Sequence, residues 1–173
     1  MHYTGDKNID LFLDFLKQNK HQMSPSSADE IENLIQSTKG NYLPKEYLKF
    51  MQDAGNGIRF FRGSDYVIKD IPRLKEGAIE LLQENESEEK LTDNNFVFFM
   101  HQGYQFYFFN LDEGDNPPVY FYHEGENKDR FIKKYESFTD FLIACYNKTE
   151  SLKSVNFSDL NPVFRFFKEK LKK

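Results

Sequence analysis

Phe96-Val97-Phe98-Phe99-Met100, His101-Gln102-Gly103-Tyr104 and Gln105-Phe106-Tyr107-Phe108-Phe109 follow one another without a break. The first run is too continuously apolar for a half-solvated strand, so it predicts a strand covered on both faces. The His101–Tyr104 stretch reads as a turn and the third run as a second strand. Asn110 to Asn116 is an acidic turn containing Gly114, and Pro117-Pro118, which cannot donate to a ladder, belong to the entry of a third strand, Val119-Tyr120-Phe121-Tyr122-His123. Three strands joined by short turns predict an antiparallel meander.

Working outward, helices flank this centre on both sides. Ile9, Phe12, Leu13 and Leu16 have the spacing of one helix face over about residues 8–18. Lys17 to Pro25 reads as a polar connector. Ser27-Ala28-Asp29-Glu30 has the capping-box form, in which serine and glutamate side chains satisfy free amides reciprocally, and it opens a helix striped by Ile31, Leu34 and Ile35. Leu43-Pro44 starts the next helix, with Leu43, Tyr47, Phe50 and Met51 on one side and Gly55-Asn56-Gly57 as its stop. Ile58–Phe61 and Tyr66–Ile68 flank Arg62-Gly63-Ser64-Asp65 as a hairpin signal. Leu74, Ala78, Ile79 and Leu82 mark another helix. Ser137 caps a helix carrying Phe138, Phe141, Leu142 and Cys145, and Asn161-Pro162 opens a last one over about 161–172, with Phe164, Phe167 and Leu171 aligned. Helices, then a strand stack, then helices predict a single α+β domain over 1–173, one mainly antiparallel sheet with helices packed against it.

Composition narrows the function classes. The chain has 173 residues, 19 Phe, 10 Tyr and no Trp, so a phenylalanine core accounts for most of its aromatic content and some tyrosines belong at a surface. Cys145 is alone, which excludes an internal disulfide and a cysteine-based metal site. Residues 1–6 carry no basic stretch leading into an apolar run, and no segment approaches the roughly 20 apolar residues of a membrane span. The expectation is a cytoplasmic protein without a membrane anchor. A net charge of −5 argues against nucleic-acid binding, which needs a basic face. The charge is uneven: carboxylates gather at Glu84–Glu89 and at Asp112, Glu113, Asp115, Glu124 and Glu126, cations at Arg165, Lys168, Lys170, Lys172 and Lys173. Solvated loops are the ordinary explanation, and an acidic docking surface for a basic protein is the sharper one.

Catalytic signals are thin. His101 and His123 fall at the ends of adjacent strands near Glu124, yet no close ligand spacing of the H-x-x-x-H kind occurs, so no metal is expected. Cys145 lies on an apolar stripe, as an inert thiol does. Phosphate-cradling and nucleophile-elbow motifs are missing. Gln102–Phe109 imitates an RNA-stacking strand but lacks the leading cation, and Gln105 replaces its small residue. No enzyme, cofactor or nucleic-acid partner is expected.

Leu43-Pro44-Lys45-Glu46-Tyr47-Leu48-Lys49-Phe50-Met51 followed by Gly55-Asn56-Gly57 resembles the signature helix and turn of the SUKH superfamily (Smi/Knr-like). Phe96 to Phe109, then Asp112-Glu113-Gly114-Asp115-Asn116-Pro117-Pro118-Val119-Tyr120, then Tyr135-Glu136-Ser137-Phe138-Thr139-Asp140-Phe141-Leu142 continue it in the family's order. The resemblance covers about 26–147, with the first and last helices as additions. Ile58 stands where relatives commonly carry a second glycine. The resemblance implies an α+β fold used largely for bacterial toxin immunity: a non-catalytic antitoxin that neutralises a cognate toxin, a basic nuclease or deaminase domain, by direct binding. It also implies an alternative, a regulatory scaffold that binds an endogenous enzyme or signalling partner. The expected docking edge is Asp112, Glu113, Asp115 and Glu124 with Tyr104, Tyr120 and Tyr122. The sequence leaves the oligomeric state open.

Overall fold

Residues 1–125 and 130–154 are described by the structure, a computed structural model. Its helices are α1 (Ile9–Gln18), α2 (Ala28–Gln36), α3 (Lys45–Ala54), α4 (Ile71–Glu84) and α5 (Phe138–Ser154). Its strands are β1 (Met23–Ser24), β2 (Gly57–Ile58), β3 (Ser64–Asp65), β4 (Asn95–His101), β5 (Gln105–Asn110), β6 (Val119–His123) and β7 (Ile132–Tyr135). The last five form one antiparallel sheet in chain order, and β1 pairs with β2 in a separate two-stranded ribbon. The α+β architecture and the central meander are therefore as expected. The helix expected over about 161–172 lies outside the described residues.

The run that decides the fold packs on both faces. Val97, Phe98, Phe99 and Met100 are all buried, and the β4–β5 register shifts between Val97 and Phe99. That bulge turns two consecutive side chains to one side. Phe98 and Phe99 both meet Phe141 of α5, with ring centroids 5.2 and 5.7 Å away. Met100 faces the opposite side, where its sulfur lies beside Gly77 of α4. One face of the sheet thus receives α3 and α5, the other α4.

Tyr47 is the centre of the first layer. It is buried, and its ring sits against Phe96, Phe98, Phe109 and Phe138 at 5.4–6.0 Å. Its hydroxyl has no hydrogen-bond partner among the described residues, a burial that costs about 1–3 kcal/mol and that the aromatic cage offsets. On the second face Phe106 stacks on Tyr122 and Phe108 on Tyr120, and Phe131 lies across Phe106 and Phe108.

Local signals explain the helices. Asn8 caps α1, and Ser27 and Glu30 close the capping box of α2. Ser137 Oγ accepts the Asp140 amide at 3.0 Å and so caps α5. Three expectations need correction. The expected 58–68 hairpin does not form: Ile58 pairs with Met23, residues Arg59–Phe61 make a 3-10 turn, and Ser64–Asp65 pair with His101 and Met100. Lys17 to Pro25 is not wholly a connector, since Met23–Ser24 is β1. Ile79 is 37% exposed, and Leu81 takes its place on the buried side of α4.

Candidate docking surface

The loop between β5 and β6 is held by both helices of the first layer. α3 begins at Pro44, which supplies no side-chain cap, and the Asp115 carbonyl accepts the Glu46 amide instead, at 3.0 Å. The next residue serves the other helix: Asn116 Oδ1 accepts the Thr139 amide at 3.1 Å and its hydroxyl at 3.3 Å. Two consecutive loop residues therefore satisfy amides that the first turns of α3 and α5 leave open. Beneath them Leu111 and Pro117 are buried.

This anchoring fixes the carboxylates. Asp112 accepts from Asn94 Nδ2 at 2.6 Å. Glu113 accepts from Asn110 Nδ2 at 2.9 Å and from the Tyr120 hydroxyl at 2.8 Å. Asp115 accepts from the Tyr42 hydroxyl at 3.2 Å. All three carboxylates are exposed, all their donors are neutral, and none takes part in an ion pair among the described residues. Their charge is held in place, with no cationic partner among the described residues. Burial, then the bond to Glu113, pushes the Tyr120 hydroxyl up to about 12, and burial followed by Asp115 raises Tyr42 in the same way. Both phenols therefore remain donors at neutral pH. Burial also raises the Glu46 carboxyl, against the pull of Lys49.

The expected edge is not one surface. Asp112, Glu113, Asp115 and Tyr120 converge, but Tyr104 and Glu124 sit at the opposite end of β5, five residue steps or about 17 Å away. There the Glu124 amide bonds the Tyr104 carbonyl at 2.9 Å, and the Tyr104 ring stands between His101 and His123, at 6.0 and 5.2 Å. Tyr122 is not a contact group at all: it is fully buried, stacked on Phe106 and covered by Phe131. Tyr42, 38% exposed, is the surface tyrosine that sequence reasoning missed; its position just before Leu43-Pro44, at a helix entry, was the available signal. Asn94, Asn110 and Asn116, which hold the loop, carried no such signal.

Other chemistry has little to work with. Among the described residues no group of three or more His, Cys, Asp and Glu side chains is placed to hold a metal. His101 Nδ1 meets Ser64 Oγ at 2.7 Å, and His123 Nδ1 meets the Glu124 carbonyl at 2.6 Å. Burial pushes the Cys145 thiol up to about 12, so it is protonated at neutral pH. On β5, Phe106, Phe108 and Phe109 are buried and offer no ring for base stacking. No described helix is long and apolar enough to cross a membrane.

Comparison with known families decides the kinship. The family described as SUKH_6, SMI1-KNR4 cell-wall, matches residues 28–142, about two thirds of the chain. The chain belongs to the SUKH family. The match runs from α2 into α5, so the SUKH region contains the 110–118 loop and both helix starts that hold it, while α1 lies outside. No curated protein matches the chain significantly, and no solved structure does.

Proposed function

We propose that this SUKH protein is a non-catalytic immunity protein that binds a cognate toxin with a basic surface, such as a nuclease or deaminase domain, and blocks it by occupying that surface. The observation that carries this reading is the set of Asp112, Glu113 and Asp115, exposed, without an ion-pair partner among the described residues and pre-positioned by neutral donors. A fixed negative surface steers a cationic partner toward it and loses little conformational freedom on contact. Tyr42 and Tyr120 flank the carboxylates and supply amphipathic rings, the residue type that anchors such interfaces. The docking surface in this proposal is the 110–118 loop with Tyr42 and Tyr120, and Tyr104 and Glu124 lie outside it.

The test is binding to the product of the neighbouring gene across a salt series. A stoichiometric complex that abolishes the partner's toxicity is expected. Replacing Asp112, Glu113 and Asp115 together by lysine should slow association by about tenfold or more at low salt and flatten the salt dependence. The Asp115 substitution leaves its capping carbonyl in place, so the fold is retained. Unchanged association and salt dependence in that variant would defeat the placement. Stoichiometric capture of a harmless housekeeping enzyme instead would identify the protein as a regulatory scaffold.

A further inference from the structure

α3 borders a second surface feature. At its C-terminal end, ten residues or about 15 Å from the acidic loop, a pocket of about 490 Å³ opens between the β1–β2 ribbon and the turn that follows it. Gln22, Ser24, Gly57, Ile58, Arg59, Arg62 and Tyr66 line it. In a chain of net charge −5, this lining holds two guanidinium groups and no carboxylate.

Its polar side chains divide into two kinds. The Tyr66 hydroxyl is committed: it accepts the Ile58 amide and donates to the Ile58 carbonyl, so it clamps β2 and forms a rigid wall. Among the described residues the side chains of Gln22, Ser24, Arg59 and Arg62 make no hydrogen bond or ion pair, whereas Arg73, elsewhere on the surface, is bound to Asp70. Four uncommitted groups, all able to donate, thus line one cavity. A Cβ at Gly57 would stand 3.3 Å from Ser24 Oγ, so a side chain there would press on one of the four donors.

We propose that this pocket binds a small phosphorylated organic molecule. Arginine pairs suit phosphate because a guanidinium presents parallel N–H donors to two of its oxygens, and the serine hydroxyl and glutamine amide add further donors for the rest. The volume exceeds what a bare phosphate fills and falls in the range of small-molecule sites of about 300–1,000 Å³. Ile58 and Tyr66, both buried, give the organic part an apolar floor. The pocket and the acidic loop occupy opposite ends of α3, so the assignment stands independently of toxin binding.

Adenosine monophosphate is a suitable probe, titrated calorimetrically into the full chain and scored by its effect on the melting temperature. Saturable one-to-one binding is expected, with competition by inorganic phosphate and none of it with adenosine. Arg59→Ala with Arg62→Ala should weaken the affinity by about tenfold or more and leave the melting temperature of the free protein unchanged, since both side chains are exposed and have no partner among the described residues. Gly57→Ala should weaken binding without altering charge, and Arg73→Ala should leave it intact. No saturable binding, equal binding of adenosine, or full affinity in the double arginine variant would each overturn the assignment.

Discussion

The two ends of the central meander are built from similar residues and behave differently. Each carries tyrosine and carboxylate at a β-turn or loop. At the 110–118 end the loop backbone and side chains reach across to α3, α5 and β4, so polar groups far apart in the chain hold one another. At the 101–104 and 123–125 end one side-chain bond, His101 to Ser64, reaches a distant segment, and the other contacts are a two-residue turn, a neighbouring strand and a ring between two imidazoles. The lesson is that a charged loop becomes a shaped surface when the fold uses its backbone for something else. Here the capping of two helices does so.

The largest effect should come from removing the ring on which that arrangement rests. Phe109 is fully buried next to the loop, against Tyr47 in the first turn of α3 and Phe138 at the start of α5. Phe109→Ala is expected to destabilise the protein by about 3–5 kcal/mol, measured by urea unfolding. A cost below about 1 kcal/mol would mean that the helix starts are held without the aromatic cage, and the contrast between the two ends would lose its structural basis.

An intermediate effect is expected at high pH. The Tyr120 hydroxyl is raised to about 12 in the folded protein from an ordinary value of 10.0. The raised value means the unfolded chain ionises first, so this stabilising contribution is complete below pH 10.0 and is lost as pH rises toward about 12. Tyr135, which burial also raises to about 12, contributes a loss of the same sign. The difference between wild type and Tyr120→Phe isolates the loop's share. The two stability curves should run parallel below pH 10.0 and converge or cross above it. Parallel curves throughout would show that the Tyr120–Glu113 bond does not persist in solution.

How much of this was legible beforehand depends on the range of the interactions. The buried run Val97–Met100 and the meander around it are readable because continuous hydrophobicity and short turns are local properties. β7 was missed because Ile132-Lys133-Lys134-Tyr135 points two lysines outward on an edge strand, a device that blunts edges and hides the strand pattern. The 58–68 hairpin failed for the opposite reason. Gly63 does turn the chain, at φ 85°, but Ile58 of the first arm pairs with Met23, Ser64–Asp65 of the expected turn pair with His101 and Met100, and Tyr66–Ile68 joins no strand. In the candidate surface, Asp112, Glu113, Asp115 and Tyr120 stand close in the sequence, and the structure brings them together. The burial of Tyr122 was not legible, since Tyr120 shares its strand face and its chemistry, and packing against Phe106 and Phe131 covers it. The dual capping by Asp115 and Asn116 joins segments that no sequence window contains.

The smallest effect is expected at the open end, and it sharpens the comparison most. Gln102 and Gly103 both have positive φ, 52° and 78°, the geometry of a tight hairpin turn whose twist matches the strands it joins. The strand pairing His101↔Gln105 and Gln105↔His123 and the Glu124 amide bond to the Tyr104 carbonyl are all backbone features. Tyr104→Ala removes only a ring that touches two half-exposed imidazoles, so stability should change by no more than about 0.5 kcal/mol. Association with the proposed toxin should not change either, because the ring lies a strand's length from the carboxylates. A loss of about 2 kcal/mol would instead make His101, Tyr104 and His123 a structural unit on a par with the loop. A selective loss of binding at intact stability would move the docking surface to this end of the sheet, with Glu124 and not Asp115 as its charge.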